Sequence, residues 1–161
     1  MITGVHHFSL SVADVDRSMA FYRQFGFELV SDREVEGDYV ELMNRVPGAH
    51  IRITHLTGFG HNLELLQYRQ PRGEQRAREL QDVGSAHVCL LTDDLDAECE
   101  RLRALGVPFR SPGPVTTTSG PNRGGRGIYV EDPDGNAVEI IQLARPWGPD
   151  AAGTDSPPAQ G

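Results

Sequence analysis

The chain is poor in the features that would send it out of the cell or into a membrane. It has only two cysteines in 161 residues, Cys89 and Cys99, with no CxxC spacing. That excludes a disulfide framework and reads as two reduced core residues of a cytoplasmic protein. No apolar run approaches the roughly 20 residues that a bilayer-spanning helix needs. The N-terminal Met1-Ile2-Thr3-Gly4 lacks the basic-then-apolar order of a secretory leader. A basic surplus is also missing: the net charge is −8. Nucleic acid and anionic membranes, which need cationic surface, are therefore not expected partners.

What the chain does contain is a repeat. His7-Phe8-Ser9-Leu10 and His87-Val88-Cys89-Leu90 open two copies of one pattern, and at the same offset Asp14 matches Asp94 and Gly26 matches Gly106. Each copy reads as a strand, an acidic helix start, an amphipathic helix, a glycine stop and further strands. In the first copy the alternation predicts a strand over 5–12, with Asp14 or Asp16 capping a helix that runs to Phe25. Strands are predicted over 27–35, 38–45, 49–56 and 62–68, with a loop over 57–60. In the second, strands are predicted over 86–92, 107–110, 128–131 and 137–143, with a helix over 94–105. Residues 111–125 read as a loop, and Asp132-Pro133-Asp134-Gly135-Asn136 as a tight turn. The expected class is α+β: two βαβββ modules forming a concave, partly closed mixed sheet with helices outside. Residues 1–70 form the first module, 71–85 a connecting arm in which Leu80 docks, 86–144 the second module and 145–161 a disordered tail.

Four polar residues interrupt this frame. His7 and His87 lie in the first strand of each module, opposite the apolar face formed by Phe8 and Leu10, or Val88 and Leu90. Glu64 and Glu139 lie in the last strands, between Leu63 and Leu65 and between Val138 and Ile140. A carboxylate on such a strand costs several kcal/mol to bury unless it is paired or bound to a metal. Two imidazoles and two carboxylates suit one divalent ion, such as Ni, Zn, Co, Mn or Fe.

The motifs His7-Phe8-Ser9-Leu10-Ser11-Val12, Asp16-Arg17-Ser18, Phe21-Tyr22, Leu63-Glu64-Leu65-Leu66, His87 with Asp93-Asp94-Leu95, and Glu131-Asp132-Pro133-Asp134-Gly135-Asn136 with Glu139 occur in this order over residues 4–143. Together they resemble the vicinal oxygen chelate superfamily, which includes glyoxalase I, methylmalonyl-CoA epimerase, extradiol dioxygenases and antibiotic-resistance proteins. The resemblance implies that His7, Glu64, His87 and Glu139 are metal ligands, a set like that of bacterial glyoxalase I. It implies a lyase, isomerase or epimerase that removes a proton beside a carbonyl of a small oxygenated substrate, with Glu139 as the base and Glu64 as its partner. An Fe(II)-dependent extradiol-type dioxygenase and an antibiotic-binding resistance protein are the alternatives. A homodimer is implied as well. Ser11 stands where glyoxalase I carries an arginine that helps hold glutathione, which argues against a glutathione adduct as substrate.

Ser9, Ser11, Arg123 and Arg126 are the expected substrate contacts, the two arginines belonging to a glycine-rich loop that meets an anionic group. His6 is read as pointing away from His7. His50, His55 and His61 are read as surface or supporting residues. Phe59, Tyr68 and Trp147 are candidate pocket walls.

Overall fold

The computed structural model describes residues 1–75 and 79–146. The chain divides into two compact units, Met1–Ala77 and Arg78–Gly161. The tail expected from residue 145, and Trp147 with it, lies almost wholly outside the described residues.

In the first unit, β1 (Phe8–Ser11) leads to α1 (Val15–Arg23), β2 (Glu28–Glu36), α2 (Asp38–Asn44), β3 (His50–Gly58) and β4 (His61–Gln70). The sheet order is β1-β4-β3-β2, with β1 parallel to β4 and the other pairs antiparallel. The second unit repeats this order with β5 (His87–Leu91), α3 (Leu95–Ala104), β6 (Val115–Thr116), β7 (Arg126–Glu131) and β8 (Ala137–Gln142), paired as β5-β8-β7-β6. The duplicated βαβββ architecture expected from the sequence is therefore present, as two four-stranded mixed sheets and no closed barrel.

The helix ends form for local reasons. Asp14 caps α1 by accepting a hydrogen bond from the Arg17 amide at 3.1 Å, and Asp94 caps α3 through the Ala97 amide at 2.9 Å. Gly26 and Gly106 follow the helices with φ of 86° and 74°, a conformation that favours glycine. A glutamine near the end of each last strand adds a second clamp. Gln67 accepts from the Val15 amide and donates to the Ala13 carbonyl; Gln142 does the same with Leu95 and Asp93.

One face of each sheet is buried at its centre, while Phe8 at the start of β1 stays exposed. Val15, Ser18 and Tyr22 of α1 are buried, as are Leu63 and Leu65 of β4. In the second unit Leu95, Cys99 and Leu102 of α3 are buried, as are Val138 and Ile140 of β8. Each such aliphatic side chain contributes about 1.5–3 kcal/mol when removed from water. Because strand side chains alternate, Glu64 and Glu139 lie on the other face of their sheets from these leucines, valine and isoleucine.

Two elements differ from the sequence expectation. Residues 38–45 were expected to extend and instead form α2. Asp38 and Glu41 lie in its first turn, Gly37 precedes it at φ 97°, and Arg45 closes it in the left-handed region. The segment is rich in helix-forming Glu, Leu and Met. Its one buried side chain, Val40, packs with Ala49 and Ile51. The strand expected at 107–110 is reduced to a single bridge, Phe109 to Val130. Pro108 has no N–H to donate, and the segment is held to β7 by the Arg110 amide to the Tyr129 carbonyl and by the Glu131 amide to the Pro108 carbonyl. The outer strand is β6, inside the stretch read as loop.

Candidate functional site

In the first unit the polar face of the sheet gathers around Glu64. The sheet order places β4 between β1 and β3, so Glu64 has Ser9 beside it on one strand and His55 on the other. His7 precedes β1 by one residue. Its segment is anchored by Asn62, whose amide donates to the His6 carbonyl at 2.9 Å. His7 Nε2 is 3.2 Å from Glu64 Oε1, and His55 Nε2 is 3.0 Å from Glu64 Oε2. The Glu64 side chain is only 12% exposed. One ligand atom from each of these three residues lies within 4.8 Å of the others. Ser31 Oγ holds His55 Nδ1 at 3.0 Å.

His6 does not point away. β1 begins only at Phe8, so strand alternation does not reach His6. Its Nδ1 lies 2.8 Å from His7 Nδ1, and its ring is set edge-on to those of His7 and His55. His50 pairs instead with Glu34, and His61 is exposed at the turn into β4.

The second unit builds the corresponding place around Glu139. His87 Nε2 is 3.2 Å from Glu139 Oε2. Cys89 and Tyr129 flank Glu139 in register, where the first unit has Ser9 and His55. The Tyr129 ring stands edge-on to His87 with centroids 5.4 Å apart. Desolvation, reinforced by the Glu139 charge, pushes the Cys89 thiol and the Tyr129 phenol each up to about 12. Both therefore stay protonated at neutral pH beside the Glu139 carboxylate. Cys89 is accordingly not the core residue expected; only Cys99 is buried.

Glu139 and Tyr129 line a cavity of about 390 Å³ within this unit, with Arg110, Val115, Ile141 and the arm residue Leu80. That volume suits a small ligand. Arg126 also borders it, but its guanidinium is bound through two hydrogen bonds, of 2.7 and 2.8 Å, to Asp96 on α3. The first unit contains the same clamp: Arg52 on β3 holds Asp16 on α1 at 2.8 and 2.9 Å and also binds Asp32. Arg123 is exposed in the turn before β7, and Ser11 is exposed at the end of β1. Phe59 is 73% exposed, while Tyr68 packs on the Val40–Ile51 cluster.

Two functional candidates were not singled out from the sequence. His55 was set aside as one of several lone histidines, and Tyr129 was not considered. The signal for both is register: each sits opposite the carboxylate on the neighbouring antiparallel strand.

The family model described as the Glyoxalase/Bleomycin resistance protein/Dioxygenase superfamily matches residues 4–140. The chain belongs to this superfamily. Its relatives include a 2-epi-5-epi-valiolone epimerase from Actinomyces sp., 33% identical and covering 86% of this chain and 79% of the relative. A lactoylglutathione lyase from Salmonella typhimurium is 32% identical, covering 84% of this chain and 90% of that enzyme. Among solved structures, a glyoxalase family protein from Bacillus cereus superposes with a TM-score of 0.76 at 20% identity, covering 89% of this chain and 95% of the other. The fosfomycin resistance protein FosX from Listeria monocytogenes, solved with Mn(II) and sulfate, gives a TM-score of 0.57 at 20% identity, over 88% and 93%. These two structural likenesses establish the fold. The matched relatives named above carry the names of enzymes.

Proposed function

We propose that the chain is a metal-dependent lyase or epimerase that removes and returns a proton beside a carbonyl of a small oxygenated compound. The observation that carries this reading is the repeated pair: His7 against Glu64 and His87 against Glu139, each at 3.2 Å, in equivalent places of a duplicated fold. Imidazole nitrogen and carboxylate oxygen are the donors that Ni, Zn, Co, Mn or Fe accept, so the side chains fit a divalent ion. His7 and Glu64 in the first unit and His87 and Glu139 in the second are the proposed metal ligands. When bound, the ion supplies Lewis acidity that makes the proton beside the carbonyl easier to remove.

The protein's own groups do the rest. Glu139 borders the cavity and takes the proton as general base, a role worth about 10²–10⁴-fold in rate. Tyr129 and Cys89 stand beside it on the two neighbouring strands as neutral groups that position its carboxylate. Glu64 is the second acid–base group, steadied by His55. Ser9, beside Glu64, and Arg123 are proposed contacts for substrate oxygens. Arg126 serves the α3 clamp as well, and Arg110 is the cation that lines the cavity alongside it.

The epimerase and lyase relatives support this chemistry. The absence of a glutathione-binding arginine at Ser11 favours a substrate without that peptide. A homodimer in the cytoplasm completes the proposal, with exposed Tyr39, Leu42 and Met43 of α2 as apolar surface for a second copy. The test is proton exchange. Metal-loaded protein in D₂O should place deuterium beside the carbonyl of 2-epi-5-epi-valiolone or a related cyclic hydroxyketone, without oxygen uptake. Oxygen consumption with a catechol would select the dioxygenase reading, and exchange in none of a panel of such ketones would sink the epimerase reading.

A further inference from the structure

We infer that His7, His55 and Glu64 form a three-donor metal site complete within the first unit, able to hold a divalent transition ion without His87 or Glu139. The inference deepens the metal reading above by adding a ligand outside the four given there.

The geometry is specific. Two imidazoles, one just before β1 and one on β3, present the same nitrogen, Nε2, to the two oxygens of one carboxylate, at 3.2 and 3.0 Å. Each ring has its other nitrogen occupied: His55 Nδ1 by the Ser31 hydroxyl at 3.0 Å, and His7 Nδ1 by His6 Nδ1 at 2.8 Å. A partner on the far nitrogen holds the orientation of each ring, as is found around metal-ligating histidines. An ion pair alone would satisfy Glu64 with one imidazole. Here the Glu64 side chain is 12% exposed and its carboxylate has two, with a third ring stacked edge-on behind them.

The duplication makes the contrast internal. At the place of His55 the second unit has Tyr129, so Glu139 faces one imidazole and two weakly acidic groups. Only the first unit carries two imidazoles and a carboxylate. That donor set suits Fe(II), Co(II), Ni(II) or Zn(II), and is poor for Mg²⁺ or Ca²⁺, which take oxygen ligands.

The experiment uses full-length protein stripped with chelator and titrated with Co(II) alone, read by visible absorption and by the paramagnetically shifted imidazole N–H resonances. His87→Ala/Glu139→Gln should still bind one Co(II), more weakly than the parent, and show two shifted N–H signals. Adding His55→Gln in that background should weaken binding by more than 100-fold and remove one signal; His55→Asn serves as a second variant if the glutamine disturbs folding, checked by circular dichroism. If the double variant binds no Co(II), or if removing His55 leaves affinity within threefold and the signal count unchanged, the inference is overturned. The two readings fail separately. Wild-type affinity in the double variant would remove His87 and Glu139 from the ligand list and leave the three-donor site standing, whereas an inert His55 would do the reverse.

Discussion

Tyr129 lies directly opposite Glu139 across the β7–β8 ladder, with its ring edge-on to His87. The pairing ties the proposed base to a rigid strand and keeps a neutral group beside it, because the phenol is pushed up to about 12. Tyr129→Phe keeps the ring against His87 and removes only the hydroxyl. A neighbouring phenol can donate to a charged carboxylate, and such a bond is worth about 1.5–3 kcal/mol, so kcat for proton exchange should fall about tenfold or more. KM should change little, and steady-state kinetics on the metal-loaded enzyme would separate the two.

Glu139→Gln removes the base while keeping its size and place on β8. Exchange should slow by about 10²–10⁴-fold. Because Glu139 lies outside the packed face formed by Val138 and Ile140, the melting temperature of the metal-free protein should hold. Deuterium incorporation followed by NMR is the measure; a rate within twofold of wild type would dismiss Glu139 as the base.

The Arg52 clamp predicts a pH-dependent stability. Its guanidinium beside Asp16 and Asp32 holds both carboxyls below their ordinary value of 3.8. Groups whose folded-state value is lowered add stability that is fully present well above 3.8 and is lost as pH falls through the lowered values. Arg52→Gln should therefore lower stability modestly near neutrality, as suits a partly exposed network. The gap from wild type should close as the pH drops below 3.8. Urea unfolding at several pH values tests this, and a gap that widens in acid would contradict it.

Asp132 is 3% exposed and accepts hydrogen bonds from the Asp134 and Asn136 amides and from the Asn136 side chain, at 2.8–2.9 Å. Asp132→Ala would strand these donors in the turn that aims β8. A loss of about 2–3 kcal/mol is expected, seen as a lower denaturation midpoint with an unchanged slope.

Much of this architecture was legible because the chain says it twice. Asp14 and Asp94 as caps, Gly26 and Gly106 as stops, and Glu64 and Glu139 set against neighbouring aliphatics all follow from local chemistry and strand period. What was missed depends on pairing between strands. His55 is one histidine among six until β3 is set in register with β4 and brings it to Glu64. Arg126 read as a substrate contact because its loop is basic and glycine-rich; that its first-unit counterpart Arg52 binds the helix start at Asp16 became visible only with the sheet assembled. The helix at Asp38–Asn44 was hidden because its apolar residues, Tyr39, Val40, Leu42 and Met43, fit a strand as readily as a single helical turn around Val40. His6 was misplaced because the strand was begun three residues early.

The central claim is that the His/carboxylate pairs hold a metal on which activity depends. Equilibrium dialysis of chelator-stripped protein against Co(II) and Zn(II), with wild type beside His7→Ala and Glu139→Gln, tests it most directly. The account predicts one ion per wild-type chain, an affinity more than 100-fold weaker for His7→Ala, and a smaller but clear weakening for Glu139→Gln. Wild-type affinity in both variants would contradict it.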